Sequence, residues 1–260
     1  MISKIVRDKP TKLFVVLVAF FVANALIAEC IGGKLFSLEK VFGLEPHPFT
    51  FLGETGLTYT LTCGVLLWPL EFIMTDIVNE YFGPKAVKRI SWIAVWLISY
   101  AFLMFYLAIY IPADTSFWTG SQVEQGIPDM QLAFESIFGQ GMWIIFGSLV
   151  AFLLAQILDA WIFQKIKKVT GEKKIWLRAT GSTIVSQLID SFIVLFIAFY
   201  IGRDWTFQRV LAVAMVNYSY KAAMAFLLTP LIYLGEFLIE KYLGKNTAAE
   251  MKTAAMAPTS

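Results

Sequence analysis

Charged residues, histidine and cysteine are all scarce in this chain of 260 residues. Charged residues make up 15% of it, and it has two cysteines and one histidine, His47. A soluble domain carries about 25% charged residues, so this composition excludes an ordinary soluble fold. One histidine and no metal-ligand spacing predict no metal site and no cofactor. The sequence also has no Gly-x-x-x-x-Gly-Lys phosphate loop, which excludes nucleotide hydrolysis by the chain itself.

Apolar residues, by contrast, are abundant and come in long runs. Hydrophobic residues form 58% of the chain, and its mean hydropathy is +0.68. A helix of about 20 apolar residues crosses the hydrocarbon core of a membrane. We therefore predict an all-α, polytopic membrane protein with one six-helix domain over 1–246 and a disordered tail over 247–260. The spans are expected near 12–36, 58–82, 88–111, 141–165, 179–201 and 207–240.

Most of the 21 basic residues fall in segments that alternate with segments poor in Lys and Arg. The basic segments contain Lys4, Arg7, Lys9, Lys12, Lys85, Lys88, Arg89, Lys165, Lys167, Lys168, Lys173, Lys174, Arg178, Lys241, Lys245 and Lys252. By the positive-inside rule these segments, and with them both termini, are cytoplasmic. The pattern indicates a multi-pass protein in a lipid bilayer and does not point to nucleic acid.

Two long connections, 37–57 and 112–140, lie on the opposite side of the membrane in this topology. They are candidate lids or mouths of a site. In the second connection, apolar residues at helical spacing follow Asp129 and predict a short interfacial helix up to Phe138. A helix that merely connects two spans fits the same pattern.

Polar side chains inside the predicted spans are the main candidates for a functional site. A carboxylate that faces lipid costs several kcal/mol unless it is paired, protonated or hydrated, and the second span carries Glu71, Asp76 and Glu80. Lys221, in the sixth span, neutralises one acid, so other acids are expected to be protonated, hydrated or reserved for a ligand. Glu71 is expected at binding depth. The predicted binding residues are Glu71, Asp76, Asn79, Gln156, Asp159, Gln187, Asp190, Asn217 and Lys221.

The cytoplasmic end of the second span has a further expectation attached to it. Asp76 and Glu80 lie close in sequence to the bases Lys85, Lys88 and Arg89. Opposite charges this close predict either a cytoplasmic gate or simple ion pairs with those bases.

Carboxylates and amides beside aromatic rings suit a flat heterocyclic ligand. A carboxylate accepts hydrogen bonds from the N–H groups of a guanine-like edge, an amide satisfies neighbouring atoms, and a ring covers the flat face. Trp68, Phe72, Trp161 and Phe192 are the candidate rings. This chemistry favours a nucleobase-like solute, while other small polar amides stay open as ligands. Polar groups that only bond neighbouring helices are the alternative to a binding site.

Three segments, in order, carry a resemblance to a known family. They are Thr75-Asp-Ile-Val-Asn-Glu-Tyr-Phe-Gly83 with Lys88-Arg89, Ala155-Gln-Ile-Leu-Asp159 with Thr170-Gly171 and Trp176-Leu-Arg178, and Ser182-Thr183 with Gln187-Leu-Ile-Asp190. Over residues 12–242 the chain resembles the queuosine precursor transporter family, which is of the vitamin-uptake type. The resemblance implies six helices in the inner membrane and import of 7-cyano-7-deazaguanine or its aminomethyl analogue, for queuosine modification of transfer RNA.

Two other functions stay open on the residues alone. One is a substrate-capturing subunit of an ATP-driven uptake complex, which makes an external energising module a candidate partner beside a second copy in a homo-oligomer. The other is an intramembrane aspartyl protease built on Asp159 and Asp190, although neither follows a Gly-x-Gly sequence. We favour a transporter of a small 7-deazaguanine substrate and not an enzyme.

Overall fold

A computed structural model describes residues 8–139, 141–171 and 174–256. Its helices are α1 (Lys9–Ile31), α2 (Leu38–Val41), α3 (Trp68–Phe82), α4 (Pro84–Tyr110), α5 (Met130–Phe138), α6 (Met142–Thr170), α7 (Ile175–Leu195), α8 (Phe207–Leu227), α9 (Thr229–Leu243) and α10 (Lys245–Ala254). Turns of 3₁₀ helix cover Cys63–Leu66 and Val123–Gln125, and a π-helical stretch, Phe196–Ile201, continues α7. The basic residues Lys4, Arg7 and Lys173 and the last four residues of the predicted tail lie outside the described ranges.

Four short strands join the helices on one side of the fold. They are β1 (Leu35–Ser37), β2 (Phe49–Phe51), β3 (Glu54–Leu57) and β4 (Thr60–Thr62). Strand β1 pairs with β4 and β2 pairs with β3, both antiparallel. The second long connection contains the predicted short helix as α5, whose N-terminus is capped by the Asp129 carboxylate. The chain is thus an all-α membrane protein with small additions in its loops.

Five helical segments of the described ranges are long and apolar enough to cross a membrane. They contain α1, α4, α6, α7 with its π-helical continuation, and α8. The second predicted span, 58–82, is not among them, because β4 and a 3₁₀ turn occupy its first part. Helix α3 has 15 residues, a length of about 22 Å. Pro69 sits in its first turn, the place where a helix tolerates proline.

The sixth predicted span, 207–240, is divided into two helices. Helix α8 ends at Leu227, and α9 begins at Thr229 with Pro230 in its first turn. Proline has no N–H and disfavours helical geometry in the residue before it. The break therefore follows from the Thr229-Pro230 sequence, which the hydropathy pattern alone does not register.

The C-terminal segment is helical where the sequence predicts disorder. Helix α10 packs against α3 and α9. Lys252 Nζ lies 2.5 Å from Glu236 Oε1 and 2.6 Å from Glu240 Oε1, and Ala248 is 1% exposed. The prediction missed this helix because its stabilising partners lie on α9 and not within the tail.

Helix α3 is the central element of the fold, and it packs against most of the other helices. One core cluster joins Phe21 of α1, Val78 of α3, Ile90 of α4 and Phe152 of α6. Gly83, with φ of +78°, ends α3, and a Cβ there would lie 3.3 Å from the Ala255 carbonyl oxygen. The packing places the polar residues of α3 between α6, α7 and α8.

Candidate functional site

A cleft opens between α3, α7, α8 and α9. The cleft is narrow, with a cavity volume of about 40 Å³, compared with about 300–1,000 Å³ for small-molecule sites in proteins. Three of the predicted binding residues line it: Asp76 from α3, Gln187 from α7 and Lys221 from α8. Four further lining residues, Thr180, Thr183, Tyr220 and Met224, are not among the predicted binding residues. Thr183 lies in a segment that carries the family resemblance, and this motif could have identified it as a candidate site residue.

Asp76 and Asp159 lie next to each other where α3 meets α6, because the neighbouring Thr75 and Asn79 of α3 bond to Gln156 and to the Ala160 carbonyl oxygen of α6. Asp159 is fully buried behind Asp76 and does not line the cleft. Its Oδ1 lies 3.0 Å from Ser186 Oγ and 3.3 Å from Thr183 Oγ1, and both hydroxyls donate to it. Asp159 therefore reaches a ligand only through Asp76.

Two buried polar atoms of the cleft residues have no hydrogen-bond partner within the described part of the chain. They are Asp76 Oδ1 and Gln187 Nε2, an acceptor and a donor. A buried polar atom without a partner costs about 1–3 kcal/mol, and such atoms are uncommon in folded proteins. This pair is available to hydrogen-bond a bound molecule.

Lys221 forms an ion pair with Asp190, as the sequence analysis expects for one of the acids. The two charged atoms are 2.5 Å apart, and both side chains are less than one-fifth exposed. On the same side of the bundle, Ser148 donates a hydrogen bond to the carboxylate of Glu29. Asp190 thus lies beside the cleft with its charge already balanced by Lys221. Asp159 and Asp190 have different partners and do not form the pair that an aspartyl protease requires.

Glu71 and Gln156 lie together away from the cleft. The Thr75 hydroxyl is 2.7 Å from Gln156 Oε1 and 3.0 Å from the Glu71 carbonyl oxygen. Glu71 is 1% exposed, and neither carboxyl oxygen has a hydrogen-bond partner within the described residues. Gln156 Nε2 is unpartnered in the same way. Neither residue lines the cleft, so the structure does not place Glu71 in contact with a ligand held there.

Asn79 connects α3 to α6. Its amide nitrogen donates to the Ala160 carbonyl oxygen at 3.0 Å, and its amide oxygen accepts from Gln164 Nε2 at 2.8 Å. Both ends of the amide are therefore used within the protein. Asn217, the remaining predicted binding residue, is half-buried on α8 and does not line the cleft.

Glu80 is the centre of a buried charge cluster that the sequence analysis missed. Its carboxylate accepts two hydrogen bonds from Arg178 and lies 3.1 Å from Lys167 Nζ. Among the ion pairs expected with Lys85, Lys88 and Arg89, those of Glu80 with Lys88 and Arg89 are replaced by ion pairs with Lys167 and Arg178. Lys167 on α6 and Arg178 on α7 are far from Glu80 in the sequence. No local sequence pattern therefore reveals that they pair with it.

Two of the four candidate rings line the cleft. Trp68 and Phe72 stand on one face of α3, four residues apart, and both are lining residues. Trp161 is 56% exposed with Lys165 over its ring, and Phe192 stacks on Phe196. The expectation that Trp161 and Phe192 cover a ligand is therefore not met by this structure.

Comparisons with known proteins agree on one family. Residues 62–235 match the family described as putative vitamin uptake transporter. The chain is 31% identical over 189 residues to the probable queuosine precursor transporter of Bacillus subtilis, covering 71% of this chain and 74% of that protein. It is 27% identical over 173 residues to the queuosine precursor transporter of Escherichia coli, covering 65% and 69%. No solved structure gives a significant match. The matched residues include α3, α7 and α8 and the first part of α9.

Proposed function

We propose that this chain, which belongs to the queuosine precursor transporter family of the vitamin-uptake type, imports a 7-deazaguanine precursor of queuosine. The chain is a multi-pass protein of the cell membrane with a transport role and not an enzyme. The curated relatives carry the queuosine precursor in their names. The candidate solutes are 7-cyano-7-deazaguanine and its aminomethyl analogue.

The observation that carries the proposal is the unpartnered acceptor and donor in the cleft, Asp76 Oδ1 and Gln187 Nε2. The guanine-like edge of a 7-deazaguanine presents two adjacent N–H donors and one carbonyl acceptor. Asp76 accepts from the N–H groups, and Gln187 donates to the carbonyl oxygen. The aromatic rings of Trp68 and Phe72 offer a face for the flat heterocycle.

The other predicted residues act around this contact. Lys221 lines the cleft and holds Asp190 beside it. Asp159 lies behind Asp76 and outside the cleft lining, while Asn79 and Gln156 form hydrogen bonds between α3 and α6. Asn217 lies on α8 outside the lining. Ligand contact is thus assigned to Asp76, Gln187 and Lys221.

The proposed topology has six spans with both termini in the cytoplasm of the cell and the protein in the inner membrane. Helix α3 and the 3₁₀ turn before it form the second span, although α3 alone is shorter than the other five. The helix breaks before α3 and between α8 and α9 both border the cleft, through Val65 and Leu228. Interrupted helices commonly form the substrate sites of secondary transporters, which supports alternating access around this cleft.

Uptake in cells tests the proposal. A bacterial strain without its own import route, expressing this chain, is expected to accumulate radiolabelled 7-cyano-7-deazaguanine. Gln187→Ala is expected to reduce uptake at least about tenfold, because one buried hydrogen bond is worth about 1.4 kcal/mol in affinity. Gln125→Ala, an exposed glutamine in the loop before α5, is the matched control and is expected to transport normally. No uptake by the unaltered chain, at normal membrane expression, would contradict the proposal.

A further inference from the structure

The contact between Asp76 and Asp159 is fixed by hydrogen bonds on either side of it. Thr75, next to Asp76, is 2.7 Å from Gln156 Oε1. Asn79 donates to the carbonyl oxygen of Ala160, next to Asp159, at 3.0 Å. These two bonds set the register of α3 against α6. The two carboxyl groups therefore face each other as part of the packing, and Asp76 also faces the cleft.

The bases near this carboxyl pair are engaged by other acids. Lys167 and Arg178 form ion pairs with Glu80, and Lys221 forms one with Asp190. Two negative charges in contact and away from water are strongly unfavourable. The simplest arrangement is one proton between the two groups. The hydrogen bonds from Ser186 and Thr183 stabilise the charged form of Asp159. The shared proton is therefore on Asp76, which donates a hydrogen bond to Asp159.

The helices packed around the pair carry other charged and titratable groups. Helix α3 contributes Glu80, α6 contributes Lys167, α7 contributes Arg178, and α8 contributes Tyr220 and Lys221. Helix α1 contributes Glu29, which accepts from Ser148, and α4 contributes the uncharged Ser91 as a buried polar group. Helices α9 and α10 contribute Glu236, Glu240 and Lys252, which meet one another beside Tyr81.

We propose that the Asp76–Asp159 pair carries a proton that is imported together with the substrate, so that the proton gradient drives uptake. This inference rests on the proposed function. The proton passes from external water to Asp76, is shared with Asp159 while the substrate is bound, and leaves to cytoplasmic water. No bond of the substrate forms or breaks, and one proton moves inward for each molecule imported.

The physical link between proton and transport is the contact between α3 and α6. With the proton present, Asp76 is neutral, its second oxygen accepts from the substrate edge, and α3 is bonded to α6. Without the proton, two carboxylates repel each other across this contact. The proton thus favours the conformation with α3 packed on α6, and its loss favours another conformation, which is how a bound ligand shifts an equilibrium between two states.

The test uses the purified full chain in proteoliposomes with radiolabelled 7-cyano-7-deazaguanine and the trapped pH dye pyranine. With the membrane potential clamped, a pH gradient alkaline inside is expected to raise accumulation by up to about tenfold per pH unit, since one pH unit is a tenfold ratio of proton activity. Addition of substrate is expected to acidify the lumen. Counterflow exchange of labelled for unlabelled substrate, without any gradient, separately reports the proposed transport function.

Asp159→Asn removes one acid of the pair without touching the cleft lining. It is expected to keep counterflow and to lose gradient-driven accumulation and lumen acidification. Asp114→Asn, at an exposed position in the loop after α4, is the control and is expected to keep all three. Accumulation by Asp159→Asn that still follows the pH gradient would overturn the proposal. Counterflow by the unaltered chain with no response to the pH gradient would also overturn it, and leave the proposed function standing.

A second variant guards against a folding defect in Asp159→Asn. Ser186→Ala removes a hydroxyl that donates to Asp159 Oδ1 at 3.0 Å. Loss of this bond disfavours the charged pair, so the proton is held more tightly. The external pH at which uptake is half-maximal is expected to rise. An unchanged pH profile in a folded, transporting Ser186→Ala protein would overturn the proposal. No counterflow in the unaltered chain would instead refute the proposed function.

Discussion

The Arg178 guanidinium donates two hydrogen bonds to the Glu80 carboxylate, with Nη2 2.8 Å from Oε1 and Nε 3.1 Å from Oε2. Both side chains are at most 1% exposed. Lys167 adds a second base to the same carboxylate and also donates to the Lys252 carbonyl oxygen of α10. This cluster joins α3, α6, α7 and α10 at one end of the bundle.

Removal of Arg178 should strongly destabilise the fold. Arg178→Ala leaves Glu80 buried with one base in place of two, and breaking a buried pair costs about 3–5 kcal/mol. Thermal unfolding of the purified protein in detergent measures the effect as a fall in Tm. Arg89→Ala, which removes an exposed arginine, is the control and should change stability by less than about 0.5 kcal/mol. Equal effects of the two substitutions would contradict the assignment of Glu80 to Arg178.

The C-terminal helix should be held in place by Lys252. Lys252→Ala removes both ion pairs to α9 and should release α10, seen as faster hydrogen exchange over residues 245–254. Lys245→Ala, at an exposed position of the same helix, should leave the exchange unchanged. Slow exchange in the Lys252→Ala protein would mean that apolar packing alone retains α10.

The attachment of α10 should not weaken as the pH rises through neutrality. Burial lowers the pKa of Lys252, but the hydrogen bonds with Glu236 and Glu240 outweigh it and raise the pKa above its ordinary 10.5. A group with a raised folded pKa contributes fully below its unfolded pKa and loses that contribution as pH rises through the folded pKa. Detachment on the alkaline side is therefore expected only above about pH 10.5. Protection of the amides of α10, corrected for the intrinsic pH dependence of exchange, measures this, and a loss near neutral pH would contradict it.

Truncation of two amide side chains should affect different properties, stability for Asn79 and substrate binding for Gln187. Asn79→Ala removes a doubly bonded amide between α3 and α6 and should destabilise the protein by about 1–3 kcal/mol. Gln187→Ala removes an unpartnered nitrogen and should leave Tm near that of the unaltered chain while weakening substrate binding. Thermal unfolding and radioligand binding on both variants measure this. A large fall in Tm for Gln187→Ala would show that this side chain is structural.

The membrane class and the membrane-depth polar residues were predictable because both are written in local composition. Long apolar runs give helices regardless of their partners, and acids within those runs stand out. The partner of one acid was also predictable. Lys221 was expected to neutralise an acid because it is a base within a predicted span. Asp190 follows as its partner once α7 and α8 are adjacent.

The remaining features depend on contacts between distant segments. Lys167 and Arg178 were assigned to a cytoplasmic loop by their charge, but helices α6 and α7 include them and bury them against Glu80. The tail reads as disordered until Lys252 meets Glu236 and Glu240. Glu71 and Asp76 were both predicted to bind ligand from the second span, but in the structure Asp76 lines the cleft and Glu71 does not.

Displacement of bound 7-cyano-7-deazaguanine from the purified chain tests the central claim most directly. Labelled 7-cyano-7-deazaguanine should bind, and its aminomethyl analogue should displace it, because both present the same edge to Asp76 and Gln187. A 7-deazaadenine, which lacks the paired N–H donors and the carbonyl acceptor of that edge, should compete at least about tenfold less well. Two results would contradict recognition of the guanine-like edge in this cleft. In one, the 7-deazaadenine displaces the label as well as the aminomethyl analogue does; in the other, Gln187→Ala leaves binding unchanged.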